Sequence, residues 1–480
     1  MIYIKISDMD FYDDAVVLIK SFYPRTEVMQ YQEQAEQTRT AQDIVIEPEV
    51  PEKDGRSKKE LHEAFKCTLY TKLSAQYTKL SAQLNKTLPW GYLTGVRPSK
   101  IAYTLLEKGA DREQILEEFT KKHLVSEKKA QLALQVAQTE KSILEKMDYK
   151  NGYSLYIGIP FCPTTCLYCS FTSYSLAAYQ SKVQPYLEAL LKEMKYVSEA
   201  MRGRRLDTVY FGGGTPTTLS AGQLDMLLTE LERQFDLSAC RELTVEAGRP
   251  DSITYEKLCV LKAHHVDRIS INPQTMNQQT LDLIGRRHTV EQIEEAFALA
   301  GKAGLDNINM DMILGLPGEN KEMVQHTLEK IKALAPESLT VHSLAIKRAA
   351  ALNIWREKYL DLQMDNSDEI VSMAADYAHQ MGHQPYYMYR QKNMAGNFEN
   401  VGYSKPGLEC IYNILIMEEK QTIIAMGAGA STKIVFQNET EGAQAGRIER
   451  IENVKDVTNY IQRIDEMIER KRKFFSENNF

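Results

Sequence analysis

Between residues 153 and 346, six short apolar, β-prone runs alternate with helix-like stretches, and this alternation restricts the fold more than any other feature. The runs fall at 154–161, 208–211, 242–245, 268–271, 307–314 and 338–344, with helical segments such as 185–200 and 290–303 between them. Strands separated by helices pair in parallel through right-handed crossovers. Six such units rather than eight predict an α/β fold built as an incomplete (β/α)6 barrel, open on one side. Chemistry in barrels of this kind gathers at the carboxyl ends of the strands.

The first run ends in Phe161-Cys-Pro-Thr-Thr-Cys-Leu-Tyr-Cys169, which places three of the seven cysteines within eight residues. Pro163 ends the strand, so Cys162, Cys166 and Cys169 share one loop. A structural zinc site takes four protein ligands, usually as two separated pairs, and no second pair exists here. A [4Fe–4S] cluster held by three cysteines leaves one iron open. Spacing favours the cluster and leaves zinc as the alternative. Cys67, Cys240, Cys259 and Cys410 stand singly and read as small buried apolar side chains.

Cys-x3-Cys-x2-Cys after a strand resembles the signature of the radical S-adenosylmethionine (SAM) superfamily. Within it, Tyr156-x-Gly-Ile-Pro-Phe-Cys162 resembles the oxygen-independent coproporphyrinogen III oxidase group (HemN, HemW, HemZ), with HemZ-type sequences the most similar. Many members of the group carry a further cysteine where this chain has Phe171. The resemblance implies a [4Fe–4S] cluster on Cys162, Cys166 and Cys169, whose open iron chelates the amino and carboxylate groups of SAM. The reduced cluster of the family cleaves SAM to methionine and a 5′-deoxyadenosyl radical. Coproporphyrinogen III is the implied substrate, decarboxylated to protoporphyrinogen IX, and flavodoxin or ferredoxin is an implied electron donor. HemN-type enzymes also bind a second SAM. A HemW-type haem chaperone and a radical SAM methyltransferase or haem-degrading relative remain as alternatives.

The other motifs sit at strand ends. Phe211-Gly-Gly-Gly-Thr-Pro216 lets backbone approach a ligand closely and offer N–H groups. The resemblance makes Gly213, Gly214 and Thr215 part of the SAM site, together with Tyr156, Glu246, Gln274, Arg286, Asp311 and Ala345, and it puts Tyr168 beside the cluster. Asp311 stands out without any resemblance, because a carboxylate inside an apolar strand is expensive unless hydrogen-bonded or paired. His288 reads as a surface residue at a helix start.

Residues 1–150 read as a separate α/β and helical module, in which 70–76 is repeated unchanged as 77–83, a duplicated heptad that lengthens a helix. The Gly/Pro-punctuated loop around Trp90 is either a packed hinge or a lid. Residues 347–480 form an α+β extension on the substrate side. In it 385–397 reads by itself as a strand with a polar turn, the alternative being that Tyr386, Tyr387, Tyr389, Arg390, Lys392, Asn393 and Asn397 cradle a flat, carboxylate-rich ligand, and 449–480 reads as one charged amphipathic helix. A net charge of −7 gives no electrostatic reason for a nucleic-acid partner. No run reaches the roughly 18 apolar residues of a membrane span. The first residues lack a signal-peptide pattern, so a cytoplasmic protein is expected.

Overall fold

A computed structural model describes residues 1–480 except 24–25, 33–42, 81–87, 96, 346–350, 355–365, 392–396, 438–445 and 479–480. Strands are numbered in chain order. β1 (Ile2–Ile4), β2 (Val28–Gln30) and β3 (Ile44–Ile46) form a small parallel sheet in the order β2-β1-β3. Against it pack the helices Tyr12–Phe22 and Lys58–Leu80, burying Phe11, Leu18, Phe22, Phe65 and Leu73 in a core of their own. The first copy of the duplicated heptad and residues 77–80 of the second lie on the second of these helices, and 81–83 lie outside the described residues.

The main sheet begins with β4 (Gly152–Ile159) and continues with β7 (Arg205–Gly213), β8 (Glu242–Glu246), β9 (Arg268–Ser270), β10 (Ile308–Leu314) and β11 (Ser338–Ser343). The short pair β5 (Phe161–Cys162) and β6 (Tyr174–Ser175) brackets the cysteine loop. Among the described residues these six main strands are the parallel β/α run expected from the alternation, in the spatial order β4-β7-β8-β9-β10-β11. Along these strands buried apolar residues such as Met310, Met312 and Leu314 alternate with inward polar ones, so the apolar face is the one the crossover helices cover. Local signals start the helices. Capping boxes at Ser220/Gln223 and Thr289/Gln292 open Ala221–Gln234 and Val290–Lys302.

The C-terminal residues add strands to both edges of this sheet. β12 (Gln384–Tyr389) and β13 (Asn400–Ser404) extend it antiparallel beyond β11. β14 (Thr422–Met426) pairs parallel with β4, followed by antiparallel β15 (Ser431–Val435) and β16 (Ile448–Glu452). The single helix expected over 449–480 is therefore a strand followed by helices Val457–Gln462 and Ile464–Glu477. The two isoleucines of Ile448-Glu-Arg-Ile-Glu452 stand three apart, as on a helix, but pairing with β15 makes the segment a strand and buries Ile451. Helix Ile464–Glu477 is anchored by Lys471, whose Nζ donates to Glu193 Oε1 at 2.7 Å with both side chains fully buried.

Most buried apolar residues between 90 and 147, from Trp90 to Met147, join the main core, while Tyr92 belongs to the small one. Trp90 is completely buried, and its Nε1 donates to Glu399 Oε2 at 2.7 Å. Lys129 Nζ donates to Glu399 Oε1 at 2.6 Å, so helix Glu127–Leu144 is clamped to the start of β13. Leu88, Trp90 and Tyr92 of this loop are thus packed into the body of the protein. Among the described residues no helix is long and apolar enough to cross a membrane.

Candidate active site

The inward positions of the parallel strands are polar where a filled barrel would carry branched apolar side chains. Tyr210 on β7, Thr244 and Glu246 on β8, Arg268 and Ser270 on β9, Asn309 and Asp311 on β10, and Thr340 and His342 on β11 line one cavity of about 340 Å³. The loops at the strands' carboxyl ends close it, contributing Cys162, Cys166, Tyr168, Cys169, Gly213, Gly214, Thr215, Gln274, Arg286 and Ala345. Twelve of the thirteen residues singled out from the sequence therefore meet in one place. Tyr156 is the exception: it stacks behind Tyr210 with ring centroids 6.3 Å apart, outside the cavity wall.

Stitches to neighbouring strands hold the cysteine loop. Gly214 N donates to Ile159 O at 2.8 Å and Thr215 N to Phe161 O at 2.7 Å, so these amides are not free to bind a ligand as expected. The close approach itself needs glycine, because a Cβ at Gly214 would lie 2.6 Å from Phe161 O. Thr215 Oγ1 donates to Cys162 Sγ at 3.5 Å, and Leu167 N to Ile284 O at 2.9 Å. The three thiols share a wall, yet among the described residues no three His, Cys, Asp or Glu side chains converge as they would on a single metal ion. Three thiols from one loop are the donor set of a [4Fe–4S] cluster with one iron open.

Four buried polar atoms of residues that line this space lack a protein partner. They are Ser270 Oγ, Asn272 Oδ1, Gln274 Oε1 and Arg286 Nε. Orphaned buried groups carry a penalty that a polar ligand would relieve. Gln274 takes φ +65°, held by Gln274 N→Asp311 O at 2.9 Å and Ile313 N→Gln274 O at 3.0 Å. The turn after β9, where Asn272-Pro273 stands, is thereby locked to β10. Arg286 donates from Nη1 to Tyr168 Oη at 3.3 Å and from Nη2 to Gly248 O at 2.7 Å.

The two carboxylates differ. Burial pushes Glu246 up to about 7, against the Tyr210 hydroxyl that donates to it at 2.6 Å, while the negative charge of Asp311 adds to the rise. Burial also opposes ionisation of Asp311, but His342 at 3.7 Å and Asn309 Nδ2 at 2.7 Å outweigh it and hold the carboxyl below its ordinary value. One carboxylate is fixed as an anion and the other titrates near neutrality.

Sequence reasoning missed Tyr210, Thr244, Arg249, Arg268, His342, Cys410 and Asn413, all in the cavity wall. Most were findable as polar residues two apart on an otherwise apolar strand. Tyr412 stacks on Tyr210 with centroids 4.5 Å apart. His288 corrects an expectation, since it is fully buried and its Nδ1 lies 3.7 Å from Asp251 Oδ1. Of the lone cysteines, Cys259 is exposed and Cys410 donates to Glu242 Oε1 at 3.2 Å. In the proposed tyrosine cradle, Tyr387 and Tyr389 reach the cavity. Arg390 instead donates to Leu93 O at 2.7 Å and bonds Asn397, while Lys392 and Asn393 lie outside the described residues.

Comparison with known proteins matches this architecture. The model of the radical SAM superfamily covers residues 156–331. The oxygen-independent coproporphyrinogen-III oxidase-like protein HemZ of Bacillus subtilis is 42% identical over 395 residues, 82% of this chain and 78% of that protein. The heme chaperone HemW of Lactococcus lactis is 33% identical over 280 residues, 58% of this chain and 69% of its own length. Among solved structures, coproporphyrinogen III oxidase (HemN) from Escherichia coli superposes with a TM-score of 0.54 at 23% identity, covering 68% of this chain and 73% of that one. The chain belongs to the radical SAM superfamily, among the HemZ-like relatives of oxygen-independent coproporphyrinogen III oxidase, and that membership implies a [4Fe–4S] cluster and SAM.

Proposed function

We propose that this protein is a radical SAM oxidoreductase that converts coproporphyrinogen III to protoporphyrinogen IX without oxygen. The observation that carries the reading is one cavity lined both by the three cysteines of the loop and by the polar residues at the carboxyl ends of the strands. Similarity to HemZ points to the tetrapyrrole. Cys162, Cys166 and Cys169 would hold the cluster, with Tyr168 beside it. Gly213, Gly214, Thr215, Glu246, Gln274, Arg286, Asp311 and Ala345 would position SAM, with Tyr156 supporting Tyr210 from behind the wall.

When bound, the cluster and SAM supply the one-electron chemistry that removes a β-hydrogen from a propionate, so no acid–base pair is required. The chain's own residues orient and enclose. The carbonyl oxygens of the glycine turn, whose neighbouring amides are already engaged, suit an ammonium group. Asp311, held anionic, suits hydroxyls, and Gln274 Oε1 and Arg286 Nε await a polar partner. Tyr387 and Tyr389 give the cavity a flat apolar flank. Each propionate that becomes a vinyl loses carbon dioxide, the abstracted hydrogen and one further electron, which needs an external acceptor. A small redox protein such as flavodoxin or ferredoxin would reduce the cluster, and positions in the same wall would serve a second SAM.

The test is anaerobic. Reconstituted protein is given SAM, reductant, an electron acceptor and coproporphyrinogen III, with Cys166→Ala as control. Protoporphyrinogen IX and 5′-deoxyadenosine that form only with the intact loop are the expected products. Formation of 5′-deoxyadenosine with untouched coproporphyrinogen sinks the substrate assignment. The similarity to HemW supports a haem chaperone as second reading. Tight haem binding without porphyrin turnover would favour it. Tyr412 stands where that group often has histidine, and here it is buried in a tyrosine stack.

A further inference from the structure

Cys166 faces a buried cation that none of the motifs includes. Arg249 leaves the end of β8 three residues after Glu246, and its side chain is 4% exposed. Nη1 donates to Cys166 Sγ at 3.6 Å and to Thr164 O at 3.2 Å, and Nη2 to Thr164 Oγ1 at 3.0 Å. On its far side the guanidinium forks onto Asp251, Nε to Oδ1 at 2.9 Å and Nη2 to Oδ2 at 2.8 Å. Asp251 is backed by buried His288, and Thr164 Oγ1 is tied to Gly285 O at 2.8 Å. The ion pair is therefore held in one orientation, positive end toward the cysteine loop and negative end behind it.

Hydrogen bonds to ligating sulfurs and the charge around them are the levers by which a protein sets the potential of an iron–sulfur cluster. Reduction adds a negative charge to the cluster. A fixed guanidinium against one ligating sulfur stabilises the reduced form more than the oxidised form, and burial strengthens the effect. The Asp251 carboxylate opposes it from behind the guanidinium.

We propose that Arg249 is a positioning residue that holds the 164–166 segment and raises the reduction potential of the cluster bound through Cys166, with Asp251 moderating its charge. The two side chains then act in opposite directions. Removing the cation lowers the potential, and removing the carboxylate raises it. A purely structural Arg249 predicts neither.

The inference rests on the cluster and not on the identity of the tetrapyrrole, so the experiment contains no substrate. The full chain is reconstituted anaerobically, its iron and sulfide are counted, and the reduced cluster is titrated against potential by electron paramagnetic resonance. At equal iron content, Arg249→Gln is expected to weaken reduction at least tenfold, about 59 mV downward for one electron. Arg249→Lys, which keeps the charge without the fork, lies between that variant and the parent. Asp251→Asn shifts the potential upward. Potentials of Arg249→Gln and Asp251→Asn that both equal the parent's at full iron overturn the proposal. Should Arg249→Gln fail to hold iron, Asp251→Asn decides: an upward shift supports the electrostatic role, and no shift refutes it. Failure to convert coproporphyrinogen would leave either outcome standing.

Discussion

Glu246 offers a direct test of the cavity's electrostatics. Its carboxyl is raised from 4.5 to about 7 because burial disfavours the anion, with Tyr210 resisting and Asp311 adding to the rise. A raised carboxyl pKa means that the folded state binds a proton the unfolded state has released. Stability is then full below the unfolded value near 4.5, falls as pH rises, and levels off above about 7. At about 1.4 kcal/mol per tenfold change in proton affinity, the loss across that window comes to ~3 kcal/mol. Glu246→Gln keeps an acceptor for the Tyr210 hydroxyl and removes the titration. The variant should gain ~3 kcal/mol on the parent between pH 4.5 and pH 8. At ~2.1 cal/mol/K per residue over 480 residues, this amounts to ~3 °C in melting temperature. The assay is thermal melting of metal-free, SAM-free protein, parent and variant side by side across that range. A difference that stays constant with pH would refute the argument and show that Glu246 is hydrated in the folded state.

Other outcomes follow from particular contacts. Lys471→Met leaves the fully buried Glu193 carboxylate without its cation, which should cost ~3–5 kcal/mol in denaturant unfolding. Gly214→Ala places a Cβ 2.6 Å from Phe161 O, so the cysteine loop must move. SAM affinity measured by equilibrium dialysis should drop at least tenfold while the far-ultraviolet spectrum is unchanged. Cys166→Ser should abolish the visible absorption of the reconstituted cluster and most of its iron, without changing the melting of the metal-free chain.

Much of the barrel was legible because its signals are local. Each strand announced itself as an apolar run, and the six observed strands overlap those read from the sequence. Asp311 could be picked out because a lone carboxylate in such a run demands partners, and it found Asn309 and His342. Tyr156 was legible as part of a motif, but its side chain turned out to stand behind Tyr210. The readings that failed concerned segments whose pattern suits two environments. Ile448–Glu452 spaces its two isoleucines three apart, as an amphipathic helix does, and only the open edge of β15 made it a strand. His288 looked like a helix-start residue, yet the packing of the loop above Asp251 buries it.

The sequence by itself determined the six parallel β/α units, the cysteine loop at the end of the first, and the glycine turn beside it. These rest on periodicity, chain stiffness and spacing within a few residues. Tertiary structure alone decided that the C-terminal strands flank both edges of the barrel and that Arg249, 83 residues from Cys166, lies against its sulfur. Tertiary structure also decided that polar atoms of four residues in the cavity wall are buried without partners. Such outcomes depend on which distant surfaces meet and on what remains unsatisfied once they have. No local pattern encodes that, because burial and pairing are properties of the assembled fold.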